Sequence, residues 1–277
     1  GEKVLSTQRA KTPLLLIGKK SFLEYMPRGV VLVIAPWNYP LQLAMVPMIS
    51  ALAGGNAVIL KPSEVTPLVG KCIEDLFQRA GFPEGTVQVT HGGKELGAAF
   101  TAGKPDYIFF TGSVRTGKII QQQAAQDLIP TTLELGGKDP MIVFGDANLE
   151  RAAKAAAWGA FTNSGQVCMS AERLYVERTV YSRFLELLKN EVKSLRQGSD
   201  EDADVGSMTF PAQKEIVRSQ LTEALQGGAK LETGSAPSEW EEGMFLPLTV
   251  VTNVEQNMKI IQEETFGPLL PVVPFEG

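Results

Sequence analysis

From Val30 onward, short apolar runs alternate with stretches whose apolar positions recur at helical spacing, the pattern of strands connected by amphipathic helices. The runs Val30–Ala35, Ala57–Lys61, Thr86–Thr90, Tyr107–Phe110 and Thr131–Leu135 predict strands. Helices are expected between them over Leu43–Ala53, Pro67–Ala80, Lys94–Ala102 and Val114–Gln126. The second helix is best marked, with Thr66 as cap, Pro67 in the first turn, and Gly81 as terminator. Its apolar positions Leu68, Val69, Cys72, Ile73, Leu76, Phe77 and Ala80 predict a core face. Such alternation implies right-handed crossovers and a parallel sheet covered on both faces, an architecture that binds ligands beyond the carboxyl ends of its strands.

Before this region, Leu14–Ile17 and Ser21–Met26 read as two extended segments around a Gly18-Lys19-Lys20 turn, a hairpin. After Gly136 and Gly137 a second α/β unit is expected. It has strands Met141–Phe144 and Arg173–Glu177, and helices over Leu149–Thr162, Val180–Leu195 and Gln213–Gln226. The acidic stretch Ser199–Asp204 reads as a solvated surface turn.

One run qualifies the picture, because Val30 to Leu60 carries no charged residue and is long enough to span a bilayer. Pro36, Asn38, Pro40, Gln42, Pro47 and Gly54-Gly55-Asn56 punctuate it into strand, loop, helix and strand, so a membrane span is not expected. The 277 residues are 44% hydrophobic and 21% charged, suiting about two globular domains. A formal charge of -5 gives no electrostatic footprint for nucleic acid. The single histidine, His91, excludes two-histidine metal motifs and leaves a carboxylate as the natural catalytic base. Two cysteines, Cys72 and Cys168, are too few for a four-thiolate zinc site or a disulfide framework. They fit free thiols in a reducing, cytoplasmic compartment.

Several polar residues stand where chemistry is done. Cys168 follows a long helix that Gly165 can end, so its thiol belongs to a loop, as a nucleophile or as a small buried apolar group. Gly112 and Ser113 follow a strand directly, and Gly117 lies in the first turns of the next helix. There backbone N–H groups meet a phosphate or simply make a strand-to-helix turn. Lys61 and Glu64, in KPSE, follow another strand end, where they hold ribose hydroxyls or flank a turn. Glu134 sits near the end of an apparently buried strand, which calls for a partner or a function. Asn38, between Trp37 and Tyr39, is either an aimed donor or a turn residue.

Taken together, PWNYP (Pro36–Pro40), KPSE (Lys61–Glu64), FTGS (Phe110–Ser113), LELGGK with Glu134 to Lys138, GQVC (Gly165–Cys168) and EETFGP (Glu263–Pro268) resemble the NAD(P)-dependent aldehyde dehydrogenase superfamily, in its order and over essentially the whole chain. The resemblance implies an α/β fold with a parallel Rossmann-type cofactor sheet followed by a second α/β catalytic domain. It implies Cys168 as nucleophile, Glu134 as general base, and the Asn38 amide with the Cys168 backbone N–H as oxyanion donors. It also implies cofactor contacts from Pro36 and Trp37, from Lys61 and Glu64 at the adenosine ribose, from Gly112 and Ser113 at a phosphate, and from Glu264 and Phe266 at the nicotinamide riboside.

A small-molecule aldehyde is the implied substrate, with hydrolysis to the free acid because the glutamate base is present. Glu64 favours NAD, since it would repel a 2′-phosphate, while NADP stays possible. The implied domains are a β-hairpin resembling the oligomerisation segment over residues 1–28, a cofactor domain over 29–136 and a catalytic domain over 137–277. A homodimer or homotetramer is implied for the complete enzyme. Members of the family are longer, so the chain reads as a fragment or truncated form. Two further readings are a nucleotide-binding remnant without turnover and a cysteine-nucleophile acyltransferase without nicotinamide.

Overall fold

The computed structural model describes residues 2–276 and divides the chain into two compact units, Gly1–Leu135 and Gly136–Gly277. The first unit begins with a single-turn helix α1 (Glu2–Leu5) and an antiparallel pair, β1 (Gln8–Ala10) with β2 (Ser21–Leu23). A hairpin is present, but its first strand is not Leu14–Ile17 as expected. Leu14–Leu16 forms a 3-10 turn behind Pro13, and the register pairs Gln8 with Leu23 and Ala10 with Ser21. An apolar run in a connection carries no pairing information, and here it is exposed, Leu15 at 97%.

A five-stranded sheet follows. Its strands are β3 (Val30–Ile34), β4 (Ala57–Lys61), β5 (Val87–Val89), β6 (Tyr107–Gly112) and β7 (Thr131–Leu135), all parallel, in the order β5-β4-β3-β6-β7. Alternation across β3 explains the uncharged run. Val31 and Val33 pack with Ala44, Met48, Ile73 and Phe77 on one face, and Leu32 and Ile34 pack with Ile120 and Ala124 on the other. The covering helices are α2 (Pro40–Ala53), α3 (Pro67–Ala80), α4 (Lys94–Ala102) and α5 (Val114–Gln126).

Three details correct the sequence reading. Helix α2 starts at Pro40 rather than Leu43 and, as expected, contains Pro47; Pro40 sits in the first turn, where a missing N–H costs nothing. In α3 the buried positions are Gly70, Ile73 and Phe77, whereas Cys72, Leu68 and Leu76 are exposed, so Cys72 is not a core residue. They lie on one flank of that stripe, rotated away by the helical period. Thr66 occupies the cap position of α3, but its hydroxyl makes no capping bond. Gly81 ends the helix at φ 70°, as its left-handed freedom allows.

The second unit has the sheet order β10-β11-β12-β9-β8. Strands β8 (Pro140–Val143), β9 (Arg173–Glu177), β11 (Thr249–Thr252) and β12 (Leu269–Phe275) are parallel, and the short β10 (Lys230–Leu231) adds antiparallel to β11. Its helices are α6 (Leu149–Phe161), α7 (Tyr181–Ser194), α8 (Pro211–Gln226) and the one-turn α9 (Lys259–Gln262). Phe184, Leu188 and Val192 line the inner stripe of α7 and pack with the Ala-rich inner face of α6. Each such side chain contributes about 1.5–3 kcal/mol by leaving water. The Asn148 side chain caps α6, its Oδ1 accepting from Arg151 N at 2.9 Å. Among the described residues no helix is long and apolar enough to cross a membrane.

Candidate active site

In the first unit the candidate residues gather where the sheet order reverses. The chain moves outward from β3 through β4 to β5, then returns to the other side of β3 with β6 and β7. The ends of β3 and β6 therefore flank a topological switch point, the place where open α/β sheets bind ligands. Pro36, Trp37 and Asn38 follow β3, half-buried, and lead into α2. Gly112 ends β6, and Ser113 caps α5, its Oγ accepting from Thr116 N at 3.3 Å. The amide-rich first turn of a helix thus stands at the switch point. Gly117 serves packing, because a Cβ there would lie 2.6 Å from Leu135 Cδ2.

Lys61 closes β4 as a buried cation. Its Nζ donates to Pro62 O at 2.9 Å, to Gly92 O at 2.8 Å and to Glu64 Oε2 at 3.0 Å. The Glu64 side chain is 54% exposed, so its carboxylate keeps acceptor capacity toward solvent. Burial opposes its ionisation, but its own backbone N–H and the Lys61 ammonium outweigh that and hold it below the usual carboxylate range. Glu134 departs from expectation. The strand β7 is an edge strand, and Glu134 is exposed rather than buried. An edge strand has a neighbour on one side only, so its side chains reach water more readily than those of a central strand.

In the second unit Cys168 sits in a turn closed by Ser170 N donating to Val167 O at 3.0 Å. The thiol is half-buried, while the adjacent Met169 is exposed. The approach from α6 is unusual, with Asn163, Ser164 and Gly165 all at positive φ, 51°, 56° and 71°. Left-handed Ser carries a strain of roughly 1–3 kcal/mol that surrounding bonds must offset. Ser164 Oγ donates to Gly206 O at 2.6 Å, and the fully buried Gln166 donates through Nε2 to Asn163 O at 2.8 Å and accepts at Oε1 from Thr209 N at 2.8 Å. Only glycine fits position 165, where a Cβ would stand 2.3 Å from Gly267 O. That contact brings the cysteine loop against the loop of Glu264 and Phe266.

This second loop is held by side chains to which the sequence reading assigned no role. Glu172 is 4% exposed; its Oε2 accepts from Lys138 Nζ at 2.8 Å and Thr265 N at 2.7 Å, and its Oε1 accepts from Phe266 N at 2.8 Å. Gln213 Nε2 donates to Thr265 O at 2.7 Å, and Gln220 Nε2 to Glu264 O at 3.1 Å. An acid ahead of an apolar strand and glutamines along a polar helix look like surface positions, so only Lys138, inside LELGGK, carried a signal. Burial, followed by the Glu172 charge, raises the Glu264 carboxyl to about 7, against the opposing Gly137 N–H and Lys138 ammonium. Burial also lowers the Lys138 ammonium, with Glu172 partly restoring it. A Cβ at Gly136 would fall 2.0 Å from Glu264 Oε1, so this carboxylate packs on bare backbone.

Comparison with known proteins places these features in a family. The sequence model of the aldehyde dehydrogenase family matches residues 3–277. The chain is 45% identical over 274 residues to the 4,4'-diapolycopene aldehyde oxidase of a Methylomonas species, covering 99% of this chain and 51% of that protein. It resembles the solved structure of lactaldehyde dehydrogenase from Escherichia coli with a TM-score of 0.91 at 34% identity, covering 98% of this chain and 57% of that one. Betaine aldehyde dehydrogenase of Staphylococcus aureus, solved in complex with NAD+, gives a TM-score of 0.90 at 34% identity, covering 98% and 55%. The chain thus spans about half the length of the curated relatives it matches. With its motifs, its sheet order and these similarities in agreement, the chain belongs to the aldehyde dehydrogenase family.

Proposed function

We propose that the protein carrying this chain oxidises an aldehyde to a carboxylic acid with NAD(P), through a covalent intermediate on Cys168. The observation that carries the reading is the Cys168 turn, entered through three successive left-handed residues, the last of which, Gly165, packs against the loop of Glu264 and Phe266. A dinucleotide fits the first unit's donor set. Lys61 and Glu64 suit ribose hydroxyls, Ser113 and the first turn of α5 suit a phosphate, and Pro36 and Trp37 border the switch point. Glu264 and Phe266 would hold the nicotinamide riboside. Nicotinamide, when bound, supplies the acceptor for the hydride that leaves the substrate carbon.

The chain's own residues do the rest. Cys168, attacking as the thiolate, forms a bond from sulfur to the aldehyde carbon, and its negative charge passes to the carbonyl oxygen as the C=O π bond breaks. The Asn38 side-chain amide and the Cys168 backbone N–H donate to that oxygen. Loss of hydride leaves a thioester on Cys168. The Glu134 carboxylate takes a proton from a water molecule, whose oxygen attacks the acyl carbon and breaks the carbon–sulfur bond. An exposed base on an edge strand is consistent with a step that uses solvent water. Glu64 favours NAD by repelling a 2′-phosphate, and NADP remains an acceptable cofactor.

The test is NADH formation, followed at 340 nm with simple aldehydes, in the complete protein containing these residues. Cys168→Ser should lower turnover by at least about a thousandfold while NAD binding persists. Turnover that survives this substitution rules out the assigned nucleophile.

A further inference from the structure

We propose that Glu172 is a positioning residue for cofactor use, its carboxylate fixing the loop of Glu264 and Phe266 in register with the turn that carries Cys168. The inference rests on the reading of those two residues as nicotinamide-riboside contacts. The geometry is specific. The two carboxylate oxygens divide the work, Oε1 accepting from Phe266 N at 2.8 Å and Oε2 from Thr265 N at 2.7 Å, so two consecutive backbone amides are held by one group.

Those amides need holding, because Phe266 adopts φ 49°, a conformation that disfavours an aromatic residue. Lys138 completes the cluster. Its Nζ donates to Glu172 Oε2 and to Thr265 Oγ1, both at 2.8 Å, and Thr265 Oγ1 donates to Gln220 Oε1 at 2.6 Å. Glu172 is also tied to the cysteine side of the unit. Only Met169, Ser170 and Ala171 separate it from Cys168, Ser170 Oγ donates to Gly159 O at 3.0 Å, and Glu172 N donates to Asp139 O at 3.0 Å.

Stability alone is a poor explanation for such a cluster. A buried ion pair, with side chains here 9% and 5% exposed, seldom stabilises a fold more than apolar packing of the same volume. What it supplies is orientation. Two amides locked to one carboxylate fix where Glu264 and Phe266 project, and the Glu172 charge acts on the Glu264 carboxyl alongside those of Lys138 and Asp139.

The complete protein and its Glu172→Gln variant are titrated with NADH, read by cofactor fluorescence across pH. The rate of Cys168 alkylation by iodoacetamide without cofactor is followed in parallel by peptide mass. Glutamine keeps the shape but loses one acceptor oxygen and the charge. The expected result is about tenfold weaker NADH binding, a lower pH midpoint for that binding, and a Cys168 alkylation rate within about twofold of the parent. Unchanged NADH affinity in the folded variant overturns the proposal. So does a loss of affinity matched by an equal change in Cys168 alkylation, which marks a general loss of structure.

If the parent protein binds no NADH, the functional reading falls and this inference with it. Should the variant not fold, hydrogen exchange on the parent decides. The Thr265 and Phe266 amides should exchange at least about a hundredfold more slowly than in an unstructured peptide, and exchange at the unprotected rate overturns the proposal.

Discussion

Glu264 illustrates how a single side chain couples environment to chemistry. Burial and the neighbouring Glu172 charge raise its carboxyl from 4.5 to about 7, so the folded chain retains a proton that the unfolded chain releases. The resulting stability is full below about pH 4.5 and is lost as pH rises through about 7. Glu264→Gln, which cannot titrate, should flatten this decline in urea midpoints measured from pH 5 to 8, and an unchanged slope would place the titrating group elsewhere. Cofactor binding should follow the opposite trend, strengthening as the ionised carboxylate becomes available to ribose hydroxyls.

At this scale the turn position of Cys168 was legible from the helix that Gly165 ends, and the strand-end position of Lys61 and Glu64 from the apolar run before them. Glu172 and Gln220 were not, since their partners are backbone groups distant along the chain, which no local pattern encodes. The expectation of a buried Glu134 failed for a related reason: a strand's apolar character does not reveal whether it lies at the centre or the edge of a sheet.

Among the elements, those with a clear period and clear punctuation were read closely. Helices α3, α4 and α5 and strands β4 and β7 begin and end where apolar spacing, Pro67 and Gly81 suggested. The elements that escaped are short or carry atypical sequences. Strand β10 has two residues, β12 contains Pro271 and Pro274, and β1 is formed by Gln8, Arg9 and Ala10, none of which marks a strand. Pairing partners create such strands, and partners are tertiary information.

Caps can be tested at the same scale. Asn148 accepts the Arg151 amide at 2.9 Å at the start of α6, the helix that leads to the Cys168 turn. Asn148→Ala should cost about 1 kcal/mol in chemical denaturation, with Asn148→Asp close to the parent. Equal stability of Ala and Asn at this position would show that the cap contributes nothing.

The chain is built of two α/β units. One offers a parallel sheet with a reversal of strand order and polar side chains at the strand ends. The other offers a thiol on a turn that follows three left-handed residues braced by Ser164 and Gln166, beside a loop held by Glu172 and Lys138. The chain's lone histidine leaves no room for a two-histidine motif, so the proposed chemistry uses cysteine and carboxylates. The proposal depends on a covalent acyl group on Cys168, and the other cysteine of these residues, Cys72, is an internal control because it lies exposed on α3.

That acyl group can be trapped in the complete protein by substituting Glu134→Gln, mixing with aldehyde and NAD, quenching in acid within the first turnover, and weighing the peptides. An acyl mass on the Cys168 peptide, dependent on NAD and accompanied by a burst of NADH with little further turnover, is the expected outcome. No adduct on Cys168, or an adduct on Cys72 alone, would show that oxidation does not pass through this thiol.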